Sequence, residues 1–324
     1  MPDLNVILNV IRREWNDPTW WRRVTVPFVL RQLLVRPYFR YVYDDGEGVD
    51  IAAEDWDNLL ILDACRYDMF SELNTVSGRL EERRSRGSNT AEFLRRNFAG
   101  ETFGDIVYVT ANPQVDIRLD DPFHATVSVW ETAWDEDLDT VRPEAVVDAA
   151  RGTQERYPNK RLVVHFVQPH YPFIEAASEN RIGAQAGMQL SRRMANDETA
   201  IADHDHVWDR LKKGEVTLDA VREAYWDNLA VTLPHVERLL DDLVGRTVVT
   251  SDHGNLLGER PSPCPLPVRL YGHPGGVYAD ALVRVPWLVV DGNGRKKVTT
   301  GRTTATDGTV SSDADSRLRA LGYG

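Results

Sequence analysis

Short runs of β-branched and aliphatic residues recur along this chain, separated by stretches of helical periodicity. Residues 58–62, 105–110, 161–167, 247–250 and 282–290 each read as a strand. They are apolar on both faces, as a strand inside a covered parallel sheet must be. Between them, residues 91–98, 143–156 and 218–243 repeat apolar positions at helical spacing. Pro143 suits the first turn of its helix, and Pro234 should kink the last helix or split it. Strands alternating with helices predict an α/β fold: a mostly parallel central sheet with helices on both faces. Residues 83–90 read as a basic loop entering a helix and 112–142 as acidic and irregular. Residues 174–216 read as an inserted helical or mobile excursion, and 292–313 as a flexible Gly/Thr/Ser-rich tail.

The first 48 residues differ in character from the α/β unit expected over 49–324. Leu4, Val6, Ile7, Val10 and Ile11 recur at roughly helical spacing, followed by Trp15, Trp20 and Trp21 among Arg12, Arg13, Arg22 and Arg23. Residues 26–35 read as a short apolar helix with Pro27 in its first turn, and Asp44-Asp45-Gly46-Glu47-Gly48 as a linker. A basic, aromatic, amphipathic stretch has two readings. One is peripheral contact with a membrane through residues 1–45. The other is a helical arm packed on its own domain or on a second subunit, which allows a homo-oligomer.

Composition narrows the classes. The net charge is −12, from 38 basic and 50 acidic residues. A nucleic-acid partner would want a basic face, so none is expected. Lysine occurs only at 160, 212, 213, 296 and 297, with arginine supplying the other cations, a balance that suits a salt-rich, halophilic cytoplasm or a GC-rich genome. Cys65 and Cys264 make neither a disulfide framework nor a zinc knuckle. No apolar run is long enough to cross a bilayer, and the N-terminus has no secretory pattern. The expectation is a cytoplasmic protein, peripheral at the inner membrane face if the arm binds lipid.

The chemistry gathers at strand ends. The 58–62 run stops at Asp63, and the 247–250 run leads through Ser251 to Asp252, His253 and Gly254. Ligands of open α/β sheets sit beyond the carboxyl ends of the strands. Two acids and an imidazole delivered there make a set suited to a divalent cation such as zinc or manganese. Thr90 stands where the Gly87-Ser88-Asn89 turn enters a helix, a setting that stabilises an alkoxide and binds phosphate or sulfate oxygens. Ser88 is the rival nucleophile, and Asn89 with Glu92 also explains the turn as an ordinary cap. His170 and His273 lie in rim loops, where they could hold anionic oxygens or protonate a leaving group. Arg66 could pair with a phosphate or sulfate, or equally with a nearby acid.

These strings resemble the alkaline phosphatase/sulfatase superfamily. Leu60-Ile61-Leu62-Asp63-Ala64-Cys65-Arg66-Tyr67-Asp68 is similar to its first metal-binding strand and turn, and Gln168-Pro169-His170-Tyr171-Pro172-Phe173 to its Pro-His turn. Ser251-Asp252-His253-Gly254-Asn255-Leu256-Leu257-Gly258-Glu259 resembles its most specific signature, with residues 284–290 and 318–323 as supporting matches. The resemblance implies a metal-dependent enzyme acting on phosphate or sulfate esters. Asp63, Asp252 and His253 would be metal ligands, and Thr90 both ligand and nucleophile in a covalent intermediate. His170, His273 and Arg66 would contact substrate. The substrate would be a small-molecule, glycan or lipid-linked ester; a head-group transferase and a catalytically degenerate anion- or glycan-binding member are the alternatives. The cysteine motif that matures to formylglycine is missing, which points away from formylglycine sulfatases. No second Asp-His pair follows the third strand, and Asp203-His204-Asp205-His206 reads as solvated surface, so one ion (manganese, zinc or calcium) is expected.

Overall fold

The computed structural model describes residues 15–43, 46, 48–175, 182, 188–196 and 206–301. Seven strands form the main sheet: β1 (Asn58–Leu62), β2 (Arg79–Arg84), β3 (Phe103–Thr110), β4 (Phe123–Ser128), β5 (Arg161–Phe166), β6 (Thr247–Thr250) and β7 (Arg284–Val290). Their spatial order is β2-β7-β6-β1-β5-β3-β4. β6, β1, β5, β3 and β4 run parallel, while β7 lies antiparallel to both β6 and β2. The predicted mostly parallel α/β sheet is the observed one.

The period of two in β1 explains the layers. Leu59 and Ile61 face a cluster with Phe93, Leu94 and Phe98 of helix α2 (Thr90–Phe98). Leu60 and Leu62 face a second cluster, with Met69 and Phe70 of α1 (Tyr67–Leu73), Val146, Val147 and Ala150 of α3 (Pro143–Arg156) and Tyr225, Leu229, Leu233 and Val236 of α4 (Leu218–Asp242). All four β1 residues are fully buried. At about 1.5–3 kcal/mol for each buried aliphatic side chain, this alternation fixes the strand's register and its central place.

Several expectations are corrected. Arg83 and Arg84, read as loop, end β2, whose sequence Arg-Leu-Glu-Glu-Arg-Arg gives no apolar run because it is an edge strand; charge on an edge discourages further pairing. β4 likewise lies within the stretch read as irregular, at the opposite edge. The last strand begins at Arg284, after a short helix, Asp280–Val283. Pro234 does not split α4, which runs unbroken for 25 residues. The buried Leu229, Leu233, Val236 and Leu239 hold both halves against the sheet. Pro27 lies inside a continuous helical rod over 18–41 rather than at a helix start. Val26 and Arg36, each just before a proline, donate their N–H five residues back, to Trp21 and Arg31. These wide turns carry the ladder past two prolines that have no N–H to give.

The C-terminal half of the rod is part of the fold. Val35 and Phe39 are buried in a third cluster with Leu256, Cys264, Leu270, Leu282 and Val283. Residues 292–301 contain no helix or strand. The residues at helical spacing before residue 12 and the C-terminal match at 318–323 lie outside the described residues, as do Asp203, His204 and Asp205.

Candidate metal centre and active site

The central strands place the chemistry. β6, β1 and β5 are neighbours, so Asp252 with His253, Asp63, and His165 arrive side by side at the carboxyl rim. All four are fully buried. His253 Nε2 lies 3.4 Å from Asp252 Oδ2 and 3.6 Å from Asp63 Oδ1. Thr90 Oγ1, on the first residue of α2, is 3.2 Å from the same nitrogen. The four residues expected as a metal set therefore converge on one point.

Local structure holds each group in place. Asp252 Oδ1 accepts the backbone N–H of Ala64 and of His253, both at 2.9 Å, which leaves Oδ2 to the centre. Asp63 Oδ2 accepts from Asn112 Nδ2 at 2.6 Å, which leaves Oδ1. His253 Nδ1 sits 2.8 Å from the carbonyl of Gly254, which can only accept; Nδ1 carries the hydrogen and Nε2 faces the cluster as a lone pair. Ala64 has φ 60°, a left-handed conformation that strains a residue with a Cβ. It is pinned by Asp252 on its N–H and by Tyr225, whose hydroxyl donates to its carbonyl. Gly254 is required by close packing: a Cβ there would strike the Ala281 carbonyl.

Asp63 Oδ1, Asp252 Oδ2 and His165 Nε2 are buried with no hydrogen-bond partner among the described residues. Leaving such atoms unpaired is costly. Asp63, His165 and Asp252 also form a group whose ligand atoms lie within 4.8 Å of one another. That set takes His165 where the strand-end reading takes His253. The distances put both imidazoles beside the carboxylates, His165 Nε2 3.9 Å from Asp63 Oδ2 and His253 Nε2 3.6 Å from Asp63 Oδ1. Burial and Asp252 push the Asp63 carboxyl well above its usual range. For Asp252 burial acts in the same direction, but His253 and His165 outweigh it and hold the group low. The pair thus shares a proton without a cation. Two orphaned carboxylate oxygens, an imidazole lone pair and a hydroxyl fit a divalent ion, which would replace that proton.

His165 was missed because it lies within an apolar run, Leu-Val-Val-His-Phe. Its ring Nδ1 is 2.9 Å from the Tyr108 hydroxyl, and burial lowers its pKa to about 4. A histidine within a doubly covered apolar strand was itself the signal, because burial there needs a partner.

The remaining predicted residues divide. His273 packs on His253 and His170, with ring centroids 4.7 and 5.1 Å apart. Burial lowers the His170 pKa to about 4, and burial with His253 and His170 holds His273 well below the imidazole range. Ser88 is turned away: its Oγ donates to Glu92 Oε2 at 2.7 Å. Asn89 caps α2 through Glu92 N, as the capping alternative expected. Arg66 is committed to Asp68, Glu259 and the Asn255 carbonyl, the ion-pair alternative for this side chain. His206 precedes the helix Val207–Lys213 and lies 3.2 Å from the Tyr171 hydroxyl.

No family model matches the chain, and no curated protein matches it significantly. Solved structures do. The zinc-bound C-terminal periplasmic domain of EptC from Escherichia coli is 12% identical, over 76% of this chain and 75% of that one, with a TM-score of 0.41. The lipoteichoic acid synthase LtaP of Listeria monocytogenes is 12% identical, over 81% and 71%, at 0.40. An alkaline phosphatase superfamily protein from Vibrio parahaemolyticus is 11% identical, over 82% and 68%, at 0.35. The α/β fold and the chemistry of the site rest on the chain's own strands and residues.

Proposed function

We propose that this protein is a metal-dependent enzyme that cleaves or transfers phosphate or sulfate esters with Thr90 as its nucleophile. The observation that carries the reading is the convergence of Thr90 Oγ1, His253 Nε2, Asp252 Oδ2 and Asp63 Oδ1, two of them orphaned carboxylate oxygens. Asp63, Asp252, His253 and Thr90 would hold the ion. When bound, it would lower the pKa of the Thr90 hydroxyl and offset negative charge on the transferred group.

The Thr90 hydroxyl gives up its proton to solvent water, Oγ1 attacks phosphorus or sulfur, and the bond to the ester oxygen breaks. The leaving alkoxide takes up a proton, and the group stays on Thr90 until water or an acceptor alcohol removes it. The first turn of α2 presents unpaired backbone N–H groups to the anionic group. His170 and His273 border this space. Both are neutral near pH 7, and an incoming anion favours the protonated form that can supply the leaving group's proton. A head-group transferase differs only in the acceptor of the second step.

The test uses chelated full-length protein with manganese, zinc or calcium restored one at a time, and aryl phosphate, phosphodiester and sulfate esters as substrates. Thr90→Ala should lower turnover by about 10³-fold or more while Ser88→Ala stays within a few-fold. A wild-type protein that binds none of the ions, or a Thr90→Ala variant with full activity, would sink the reading. Metal binding without turnover would favour the degenerate alternative.

A further inference from the structure

A large hollow lies away from the metal centre. It has a volume of about 1200 Å³ and lies between the 18–41 rod and α2. Arg36, Arg40, Arg84, Arg86, Arg95 and Arg96 line it, and among the described lining residues there is no carboxylate. On a chain with a net charge of −12 this is a marked local reversal. Arg36 spends two donors on uncharged partners, the Gly275 carbonyl at 2.7 Å and Gln32 Oε1 at 2.6 Å. The Arg96 guanidinium lies over the Tyr278 ring, 4.8 Å from its centroid, and donates to the Arg86 carbonyl. Arg86 reaches Asp50 at 3.3 Å. Arg36, Arg40, Arg95 and Arg96 make no ion pair with any described residue. Asp44, Asp45 and Glu47, close in sequence, lie outside the described residues.

The rod beside this hollow exposes its apolar side chains. Of the thirteen large apolar residues exposed among the described residues, nine fall between 15 and 42. Leu33 is 68% exposed, Tyr41 73% and Val42 72%, with Phe28, Val29 and Leu34 also exposed. Val35 and Phe39 of the same rod are buried, so the exposed set is a second, outward face. Residues 15–43 carry one acid, Asp17, against Arg22, Arg23, Arg31, Arg36 and Arg40. No described helix is long and apolar enough to cross a membrane.

We propose that the arginine-lined hollow is a headgroup site for an anionic phospholipid, and that the rod lies on the membrane surface with Leu33, Leu34, Tyr41 and Val42 among the lipid chains. Guanidinium groups match phosphate oxygens in pairs, and long arginine stems reach a headgroup while neighbouring residues sit deeper. A small soluble anion would use the arginines but leave the exposed apolar face unexplained. The acidic remainder of the surface would be repelled by the same membrane, which fixes one orientation. That orientation has a consequence for the site. Ser85 and Gly276 line the hollow, the Ser85 hydroxyl donates to the Asp252 carbonyl, and Gly276 lies in the loop that carries His273. A lipid held there would keep the loops of the metal centre close to the membrane.

The proposal does not depend on the catalytic reading, and its test uses no substrate. Full-length protein is sedimented with vesicles of phosphatidylcholine alone or with phosphatidylglycerol added. Wild type should pellet with the anionic vesicles, less so as salt rises, and remain in the supernatant with neutral ones. Arg40→Glu combined with Arg95→Glu should weaken binding by about tenfold or more, as should Leu33→Ser combined with Leu34→Ser, while thermal melting stays as in wild type. The proposal is overturned if wild type ignores anionic vesicles or binds neutral ones equally, or if the arginine pair proves dispensable. It is also overturned if pyrophosphate raises the melting temperature while vesicles bind nothing, which would mark a soluble-anion site. A dimer that forms in place of vesicle binding, and is lost with Leu33→Ser and Leu34→Ser, would show that a second copy covers the face.

Discussion

Asp63 and Asp252 are the least comfortable residues in the molecule without a cation. Both are fully buried, each leaves an oxygen unpaired, and Asp63 is pushed toward its protonated form by burial and by its neighbour. Asp63→Asn should relieve this. The amide oxygen can keep the bond from Asn112, and one buried carboxylate disappears. The metal-free variant is expected to be more stable than metal-free wild type by about 1 kcal/mol. Wild type should gain about 2.7 kcal/mol at a hundredfold excess of ion over its dissociation constant, and the variant almost nothing. Paired thermal melts with and without metal check this; a variant that melts lower without metal, or still responds to it, contradicts the assignment. Asp63, Thr90, Asp252 and His253 were legible in the sequence because each stands where a periodic pattern stops. His165 and Asn112 were not: one is hidden inside the apolar run it interrupts, and the other follows a strand with no residue pattern to mark it. Arg66 offered an anion-binding reading and an ion-pair reading, and only its folded neighbours, Asp68 and Glu259, distinguish them.

At the scale of elements, central strands could be read and edge strands could not, for one physical reason. β1, β5 and β6 are covered on both faces and must be apolar, whereas β2 pairs only along one side with β7 and keeps its charges in water. The floor of the sheet, opposite the site, carries a titratable tie of its own. Lys296 Nζ donates to Asn58 Oδ1 at 2.6 Å, and Asn58 Nδ2 donates to Thr247 Oγ1 at 3.1 Å, linking the last loop to the starts of β1 and β6. Burial lowers the Lys296 pKa to about 8 from 10.5, with Asp57 opposing. Between those two values the folded chain binds less proton than the unfolded one, so this group's contribution to stability rises with pH. Lys296→Met should remove that rise. Urea midpoints of variant and wild type at about pH 7 and about pH 10 give the comparison, and it is the difference between the two proteins that isolates Lys296. A wild-type-minus-variant difference that stays constant with pH would mean the ammonium is solvated in the folded chain.

For the whole molecule, the question is what the N-terminal rod is for, because its two faces answer to different environments. Val35 and Phe39 close the third cluster over Leu270, Leu282 and Val283, and Arg36 ties the rod to the Gly275 carbonyl, two residues from His273. This face belongs to the fold and braces a loop of the metal centre. Leu33, on the outward face, touches little. Two substitutions of similar chemistry on one helix should therefore separate. Phe39→Ala should cost about 3–5 kcal/mol, as deletion of a buried ring does, and should lower activity as well, because the brace on the 271–276 loop loosens. Leu33→Ala should change stability by no more than about 0.5 kcal/mol and leave turnover of a small ester unchanged. Denaturant unfolding and turnover on the two variants check both halves. Equal losses from the two would mean that the outward face is covered in solution. Equal indifference would mean that the rod is a passenger on the domain, and that the metal centre keeps its geometry without it.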